Sequence, residues 1–312
     1  MVATPASFAD RDGTIWMNGD FVDWRDAKVH VLTHTLHYGV GCFEGVRAYA
    51  SSQGPQIFRL HDHTRRFFDS AKILRMQIPF SYDTLITAQV DTVRRNQLDS
   101  AYIRPIAFLG SEAMGLRAKG LSVNVCVAAW SWPSYMDPAA LANGIRVQTS
   151  SYTRHHVNIS MCKAKAVGHY INSVLALSEA LDGGYDEALL LDNEGYVAEG
   201  TGENVFLVKN GVIQTPELTS CLSGITRDTI LTFAKELGYE VIERRITRDE
   251  FYIADECFMT GTAAEVVPVC ELDSRTIGDG TRGPITEQLQ QMYFDQVQGK
   301  STNHPEWLTL VE

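Results

Sequence analysis

Glu199-Gly-Thr-Gly-Glu-Asn-Val-Phe206, followed by Ile213, Thr215 and then Leu222-Ser-Gly-Ile-Thr-Arg-Asp228, is the stretch on which the reading of this chain turns. Two glycines around a threonine, beside two carboxylates and an asparagine, make a tight polar turn ahead of a strand. Taken alone it is equally an ordinary glycine turn with a surface glutamate. Read as a site, it holds a carboxylate against a ring nitrogen. That keeps the nitrogen protonated, so the ring withdraws electrons from a developing carbanion. Leu222–Asp228 opens Ile225–Leu237, the strongest helical pattern in the chain, which ends at Gly238 as a C′ cap would. The unpaired N–H groups and positive end of a helix start suit a phosphate, and Gly224 lets the backbone come close. Alone, this too is simply a helix start.

Upstream lies Met161-Cys-Lys-Ala-Lys-Ala-Val-Gly-His-Tyr170, small and apolar, leading into a helix. Most lysines are solvated surface charges. A lysine in apolar surroundings is more easily neutral and can act as nucleophile and base, as Schiff-base chemistry requires. Lys163 and Lys165 are two residues apart, and spacing does not choose between them. Downstream, Thr260-Gly-Thr-Ala-Ala264 is a loop of small residues after a strand, rich in hydroxyls and amides. By itself it reads as a plain surface turn.

The chain has 312 residues, 45% hydrophobic and 21% charged, an ordinary globular composition of about two domains. A formal net charge of −11 argues against a nucleic-acid surface but not against a locally basic pocket. The six cysteines form no C-x-x-C pair and read as free thiols of a reducing compartment. Met1–Arg11 lacks a signal-peptide pattern, and no apolar run approaches the roughly 20 residues of a membrane helix. The expectation is a cytoplasmic protein with no membrane contact.

Residues 13–49 read as strands and turns, with Asn18-Gly19 as a hairpin turn. Ile57–Leu60 reads as a strand, and His61–Leu74 and Asp83–Gln97 as helices, the second capped by Asp83 or Thr84. Tyr102–Leu109 and Val123–Trp130 are β-rich, and Leu121–Ala129 resembles a strand buried on both faces. Pro138–Gly144 is a candidate linker. Beyond it come strand Ile145–Ser150, helix Tyr170–Leu181 with Ile171, Val174, Leu175 and Leu181 in one sector, and strands Glu187–Asp192, Val205–Lys209 and Val212–Thr215. Strands Glu240–Arg244, Glu256–Thr260 and Glu265–Leu272 follow, then a helix near Ile285–Val297. The fold class is α/β in the mixed α+β sense. The expected domains are a small N-terminal α/β domain over 1–138, a linker over 139–148, and a large C-terminal α/β domain over 149–312 that carries the lysine.

Taken together, Glu199, Asn204, Phe206, Ile213, Thr215, Leu222, Gly224, Ile225 and Arg227 resemble the signature of the class IV aminotransferases, the fold-type IV group of pyridoxal 5'-phosphate (PLP) enzymes. The likeness runs from Trp16-Met-Asn-Gly-Asp20 to Trp307-Leu308. His34-Thr-Leu-His-Tyr-Gly-Val-Gly-Cys-Phe-Glu-Gly-Val-Arg-Ala-Tyr49, Tyr102-Ile-Arg-Pro105 and Trp130-Ser-Trp-Pro-Ser-Tyr135 resemble the branched-chain subgroup. D-amino-acid aminotransferases and aminodeoxychorismate lyases usually differ in these three places and supply the alternative reading.

The resemblance implies two domains with the cofactor at their interface. It makes Lys165, with Tyr170 five residues on, the catalytic lysine rather than Lys163. Tyr170 would meet the phenolic oxygen of the cofactor and Glu199 its ring nitrogen. Arg59, the amides of Ile225 and Thr226, and the Thr262 hydroxyl would hold its phosphate. Tyr38, Phe43, Trp132, Tyr135 and Tyr170 would line an aromatic pocket for a branched side chain. Tyr102, Arg104 and the amides of Thr262 and Ala263 would handle carboxylates. The implied partners are branched-chain amino acids, 2-oxoglutarate and glutamate, and the implied assembly is a homodimer or a trimer of dimers.

Gly115-Leu-Arg-Ala-Lys119 departs from better-known members, so Arg117 and Lys119 bear on dicarboxylate handling. Arg154-His-His156 is distinctive and has no role at this stage. Gly278-Asp-Gly-Thr-Arg-Gly283 matches G-x-G-x-x-G, but no second strand follows its helix, so it reads as a turn rather than a dinucleotide site. The histidine pairs have no third ligand nearby, and no metal site is expected.

Overall fold

Asn18 and Gly19 both take the left-handed backbone, φ 51° and 108°, and join strands Thr14–Met17 and Asp20–Asp23 as a tight antiparallel hairpin, the conformation such a loop demands. This hairpin ends the sheet of the first of two units. The computed structural model describes residues 7–132 and 138–312. Of these, the first unit takes those within Met1–Pro133, Ala164–Gly168 and Pro305–Glu312, and the second those within Ser134–Lys163 and His169–His304.

The first unit is built on an 8-stranded sheet. Its order is Leu308–Leu310, Gln56–Phe58, Val46–Tyr49, Ala101–Leu109, Val123–Ser131, Thr14–Met17 and Asp20–Asp23, and Gly41–Phe43 also pairs with Ala101–Leu109. Every pairing is antiparallel. Helices Leu60–Ile73 and Tyr82–Arg95 contribute Phe67, Ala71, Leu85, Ala88 and Val93 to a core shared with Val46, Ile57, Ile103, Val125 and Val127. Ser81, not Asp83 or Thr84, caps the second helix, accepting the Thr84 N–H. His34–Tyr38 is a short helix stopped by Gly39 at φ 70°, where strands and turns are expected. In Val123–Ser131 the alternate residues Val125, Val127 and Ala129 are buried while Cys126, Ala128 and Trp130 are half-buried. Only one face of this strand enters the core.

The second unit is built on a mixed 9-stranded sheet. The order is Val197–Gly200, Glu187–Leu191, Ile145–Thr153, Glu265–Leu272, Glu256–Gly261, Asn204–Lys209, Val212–Pro216 and Val241–Arg244, with Arg275–Thr276 beside Glu265–Leu272. Ile145–Thr153 is parallel to both its neighbours. Helix Tyr170–Asp182 buries Ser173, Ala176 and Ala180. The stripe Ile171, Val174, Leu175 and Leu181 faces outward instead, 44–68% exposed. Small residues let this helix lie close to its strands, which leaves the large apolar residues on the outside.

The expected division of the chain differs from these units at the linker, at the lysine segment and at Pro305–Glu312, which the first unit takes. Pro138–Asn143 is a helix, and the Leu141 carbonyl accepts a bond from Gln290 at 3.0 Å, so the expected linker is part of the second unit. The segment that carries Lys165 belongs to the first unit. The Lys165 N–H donates to Ser70 Oγ at 3.0 Å, the Lys165 carbonyl accepts the Phe43 N–H at 3.1 Å, and Ala166 bridges to Cys42.

Candidate active site

The candidate residues fall on both units. In the first, Lys165 is half-buried and its Nζ lies 5.3 Å from the centre of the Phe43 ring. The Arg104 guanidinium also sits over Phe43, at 4.6 Å. Arg104 donates to the Tyr102 hydroxyl at 3.3 Å, and its buried Nε has no hydrogen-bond acceptor among the described residues. An orphaned guanidinium donor is costly to bury and suits an anionic ligand. Tyr102 stacks near Trp130 and Trp132 at 5.3 and 5.2 Å. A Cβ at Gly45 would fall 1.9 Å from the Tyr102 hydroxyl, so a larger residue there would displace that side chain. Tyr38 is more exposed, and its hydroxyl accepts the Gly115 N–H at 3.0 Å. Arg117 and Lys119 are exposed on that loop. Tyr135 lies outside the described residues.

Arg59 precedes helix Leu60–Ile73 in a left-handed conformation, φ 52°, which costs a non-glycine residue about 1–2 kcal/mol. Three contacts hold it there. Its N–H donates to the Trp307 carbonyl at 2.6 Å, its guanidinium lies 4.7 Å from the Trp307 ring centre, and Asp62 accepts from its Nε at 2.6 Å. Trp307 and Asp62 are absent from the expected site. The R-x-x-D spacing from Arg59 to Asp62 is the local signal that could have flagged one of them.

Further along that helix, His63 and Arg66 close on Glu44. The distances are 2.7 Å from His63 Nδ1, and 2.7 and 2.8 Å from two Arg66 nitrogens. Burial works to raise the Glu44 carboxyl, but the Arg66 charge and these hydrogen bonds outweigh it and hold the group far below the usual carboxylate range. Burial likewise pushes His63 down.

In the second unit, an irregularity in strand pairing falls between Val197 and Glu199. Such irregularities re-aim side chains. Glu199 is 9% exposed, with Oε1 3.0 Å from Arg154 Nε and Oε2 accepting the Leu222 N–H at 3.3 Å. Asn204 donates to the Leu222 carbonyl at 3.0 Å. Its Oδ1 would lie 1.9 Å from a Cβ at position 224, so the close approach that requires Gly224 is to Asn204. Gly224 caps helix Ile225–Glu236 without a side-chain bond, leaving Ile225 and Thr226 in an uncapped first turn, the arrangement a phosphate fits. Arg227 instead serves structure, binding the Pro216 carbonyl and Glu243.

Thr262 and Ala263 form the turn between strands Glu256–Gly261 and Glu265–Leu272. Tyr170 is half-buried at the first turn of its helix. Gly283 ends the G-x-G-x-x-G match and precedes helix Pro284–Val297. The Glu256 carboxylate already takes the Ile285 and Thr286 N–H groups there, at 3.0 and 2.7 Å. That helix start is filled by the protein itself. Among the described residues, no three His, Cys, Asp or Glu side chains come together as metal ligands.

Behind the Glu199 turn, Glu187 and Glu203 are buried against each other. Glu187 accepts the Ala188 and Thr201 N–H groups and Glu203 that of Gly202. Burial, and then the Glu187 charge, push the Glu203 carboxyl up to about 8. The folded protein therefore keeps a proton that the unfolded chain loses at its usual value of 4.5. The stabilisation is complete below that value and drains away as pH rises to about 8, at up to about 1.4 kcal/mol per pH unit. Glu203→Gln carries no such proton and is expected to flatten the decline. Urea unfolding of both proteins across this pH range measures it. Parallel pH profiles would place the titration elsewhere.

The family model for amino-transferase class IV matches residues 41–272. The branched-chain-amino-acid aminotransferase of Pseudomonas aeruginosa is 64% identical over 306 residues, 98% of this chain and 100% of the relative. That of Escherichia coli K12 is 47% identical over 299 residues, 95% of this chain and 97% of the relative. The crystal structure of the T.th. branched-chain amino acid aminotransferase with pyridoxamine 5'-phosphate superposes with a TM-score of 0.95 at 51% identity, covering 97% of this chain and 99% of that one. The same enzyme complexed with N-(5'-phosphopyridoxyl)-L-glutamate gives a TM-score of 0.93.

Proposed function

The chain belongs to the class IV aminotransferases, and from this we propose that it transfers an amino group reversibly between L-leucine, L-isoleucine or L-valine and 2-oxoglutarate, with PLP as cofactor. The observation that carries the reading is the Phe43 ring, flanked by the Lys165 amine and by an Arg104 guanidinium with an unsatisfied buried donor. An amine, an aromatic surface and an unsatisfied guanidinium donor stand together, which supports roles as nucleophile, apolar wall and carboxylate receptor. The named relatives favour this over a D-amino-acid aminotransferase or lyase.

Arg59, with the amides of Ile225 and Thr226 and the Thr262 hydroxyl, would hold the phosphate. Tyr170 would bind the phenolic oxygen and Glu199 the ring nitrogen. When bound, the cofactor supplies an electron sink for the carbanion at the α-carbon of the donor. Lys165 would anchor the resting cofactor and, once the amine of the donor has displaced it, would take the proton from that α-carbon as a free amine. Tyr38, Phe43, Trp132 and Tyr135 would exclude water around the branched chain. Tyr102, Arg104 and the amides of Thr262 and Ala263 would receive carboxylates, with Arg117 and Lys119 adjusting the dicarboxylate.

The outward stripe of helix Tyr170–Asp182 is a face of the kind subunits cover, which supports a homodimer or trimer of dimers. No described helix is long and apolar enough to cross a membrane, and the proposed compartment is the cytoplasm.

The test follows the visible absorption of the lysine-bound cofactor in purified protein. L-Leucine should bleach it and 2-oxoglutarate restore it. Bleaching by D-alanine but not by L-leucine would move the assignment to D-specific transfer.

A further inference from the structure

We propose that Arg154 is a positioning residue that sets the electronic state of the cofactor by fixing Glu199 and Tyr170 in one frame, an inference that rests on the PLP reading above. Arg154 is 5% exposed and spends its guanidinium within the second unit. Nη1 donates to Asn172 Oδ1 at 2.8 Å and Ser173 Oγ at 3.0 Å. Nη2 donates to the Gly200 and Thr201 carbonyls at 2.8 and 2.9 Å. Nε lies 3.0 Å from Glu199 Oε1, an ion pair off the line of a hydrogen bond.

Guanidinium has five N–H groups; four make these hydrogen bonds, and the fifth, on Nε, faces Glu199 as an ion pair. Arg154 is therefore a strut rather than a ligand receptor. One end grips Glu199 and the two residues after it. The other grips Asn172 and Ser173, which follow Tyr170 by two and three positions in the first turn of its helix. The two groups that would meet the cofactor's phenolic oxygen and its ring nitrogen are thus tied through one planar side chain. Asn172 completes the frame by donating to the Thr153 carbonyl at 3.0 Å, beside Arg154 in the chain.

The charge acts in the same direction. A permanent cation at this distance, in a buried setting, favours a charged carboxylate at Glu199. A charged carboxylate is the form that keeps a ring nitrogen protonated. Lysine at 154 would keep the charge but could not span both segments.

The test uses holoprotein loaded with PLP labelled with ¹⁵N at the ring nitrogen. Arg154→Gln is expected to move the ¹⁵N resonance toward the unprotonated value and lower kcat more than tenfold, with KM for L-leucine changing less than threefold. Arg154→Lys should restore the resonance in part but not kcat. If Arg154→Gln does not fold, Asn172→Ala cuts only the limb to the Tyr170 helix and should shift the resonance and kcat the same way to a smaller degree. An unchanged resonance in whichever of these variants folds would overturn the proposal and leave Arg154 a purely structural residue. Glu199→Gln is the reference. If it too leaves the resonance unmoved, the ring-nitrogen role of Glu199 fails. If it moves the resonance and Arg154→Gln does not, only the present inference fails.

Discussion

Lys165→Ala is expected to remove the visible band of the bound cofactor together with turnover, a loss of at least about 10²–10⁴-fold from the proton-transfer role alone. Lys163→Ala should keep the band. The two side chains are held in different ways. Lys165 is half-buried over the Phe43 ring, and its backbone is fixed by Ser70 and Phe43. Lys163 lies on the exposed side, with Nζ donating to the Leu218 and Cys221 carbonyls. Its amine is occupied in tying down the chain ahead of helix Ile225–Glu236, so its loss should cost roughly 1 kcal/mol of stability. Absorption spectra and leucine turnover of the two variants settle the matter. A band kept by Lys165→Ala and lost by Lys163→Ala would reverse the assignment.

Glu44→Ala is the substitution expected to damage the fold most. Glu44 is 0% exposed and is held by three nitrogens of His63 and Arg66. Truncating one member of a buried ion pair typically costs about 3–5 kcal/mol, because the remaining charge keeps its desolvation penalty. Equilibrium urea unfolding measures the loss. A change below about 1 kcal/mol would mean that water reaches Arg66 and the pair behaves as a surface contact. Helix Leu60–Ile73 carries Arg66, follows Arg59 and offers Ser70 to the Lys165 backbone, so cofactor retention should weaken along with stability.

Much of this is legible in local sequence because the chemistry is local. The Asn18-Gly19 turn, the Asn210-Gly211 turn that joins strands Asn204–Lys209 and Val212–Pro216, the helix from Ile225 and the glycine turn after Glu199 each declare themselves within a few residues. Arg154 does not. Its contacts depend on strand Ile145–Thr153 lying parallel to Glu187–Leu191, with helix Tyr170–Asp182 packed on them, and nothing around residue 154 encodes that pairing. The apolar stripe on the same helix is legible as a stripe, but its outward direction is not, for a related reason. Periodicity reveals that a helix has two faces but not which one meets its own chain, and here Ser173, Ala176 and Ala180 do so. Asn204 shows a third limit. A glycine signals a close approach without naming the partner, and at Gly224 the partner is a side chain.

The segment beyond residue 304 also bears on how the molecule is made. Strand Leu308–Leu310 pairs with Gln56–Phe58, and the Trp307 carbonyl pins the strained backbone of Arg59. These residues leave the ribosome after the whole of the second unit. Domains ordinarily fold in turn as they emerge, yet the first unit to appear lacks the edge of its sheet until the second has been synthesised. It also waits for Ala164–Gly168, and so for Lys165. Arg59 therefore reaches its final setting late in biogenesis, and a nascent chain halted within the second unit lacks the Trp307 contacts that hold it.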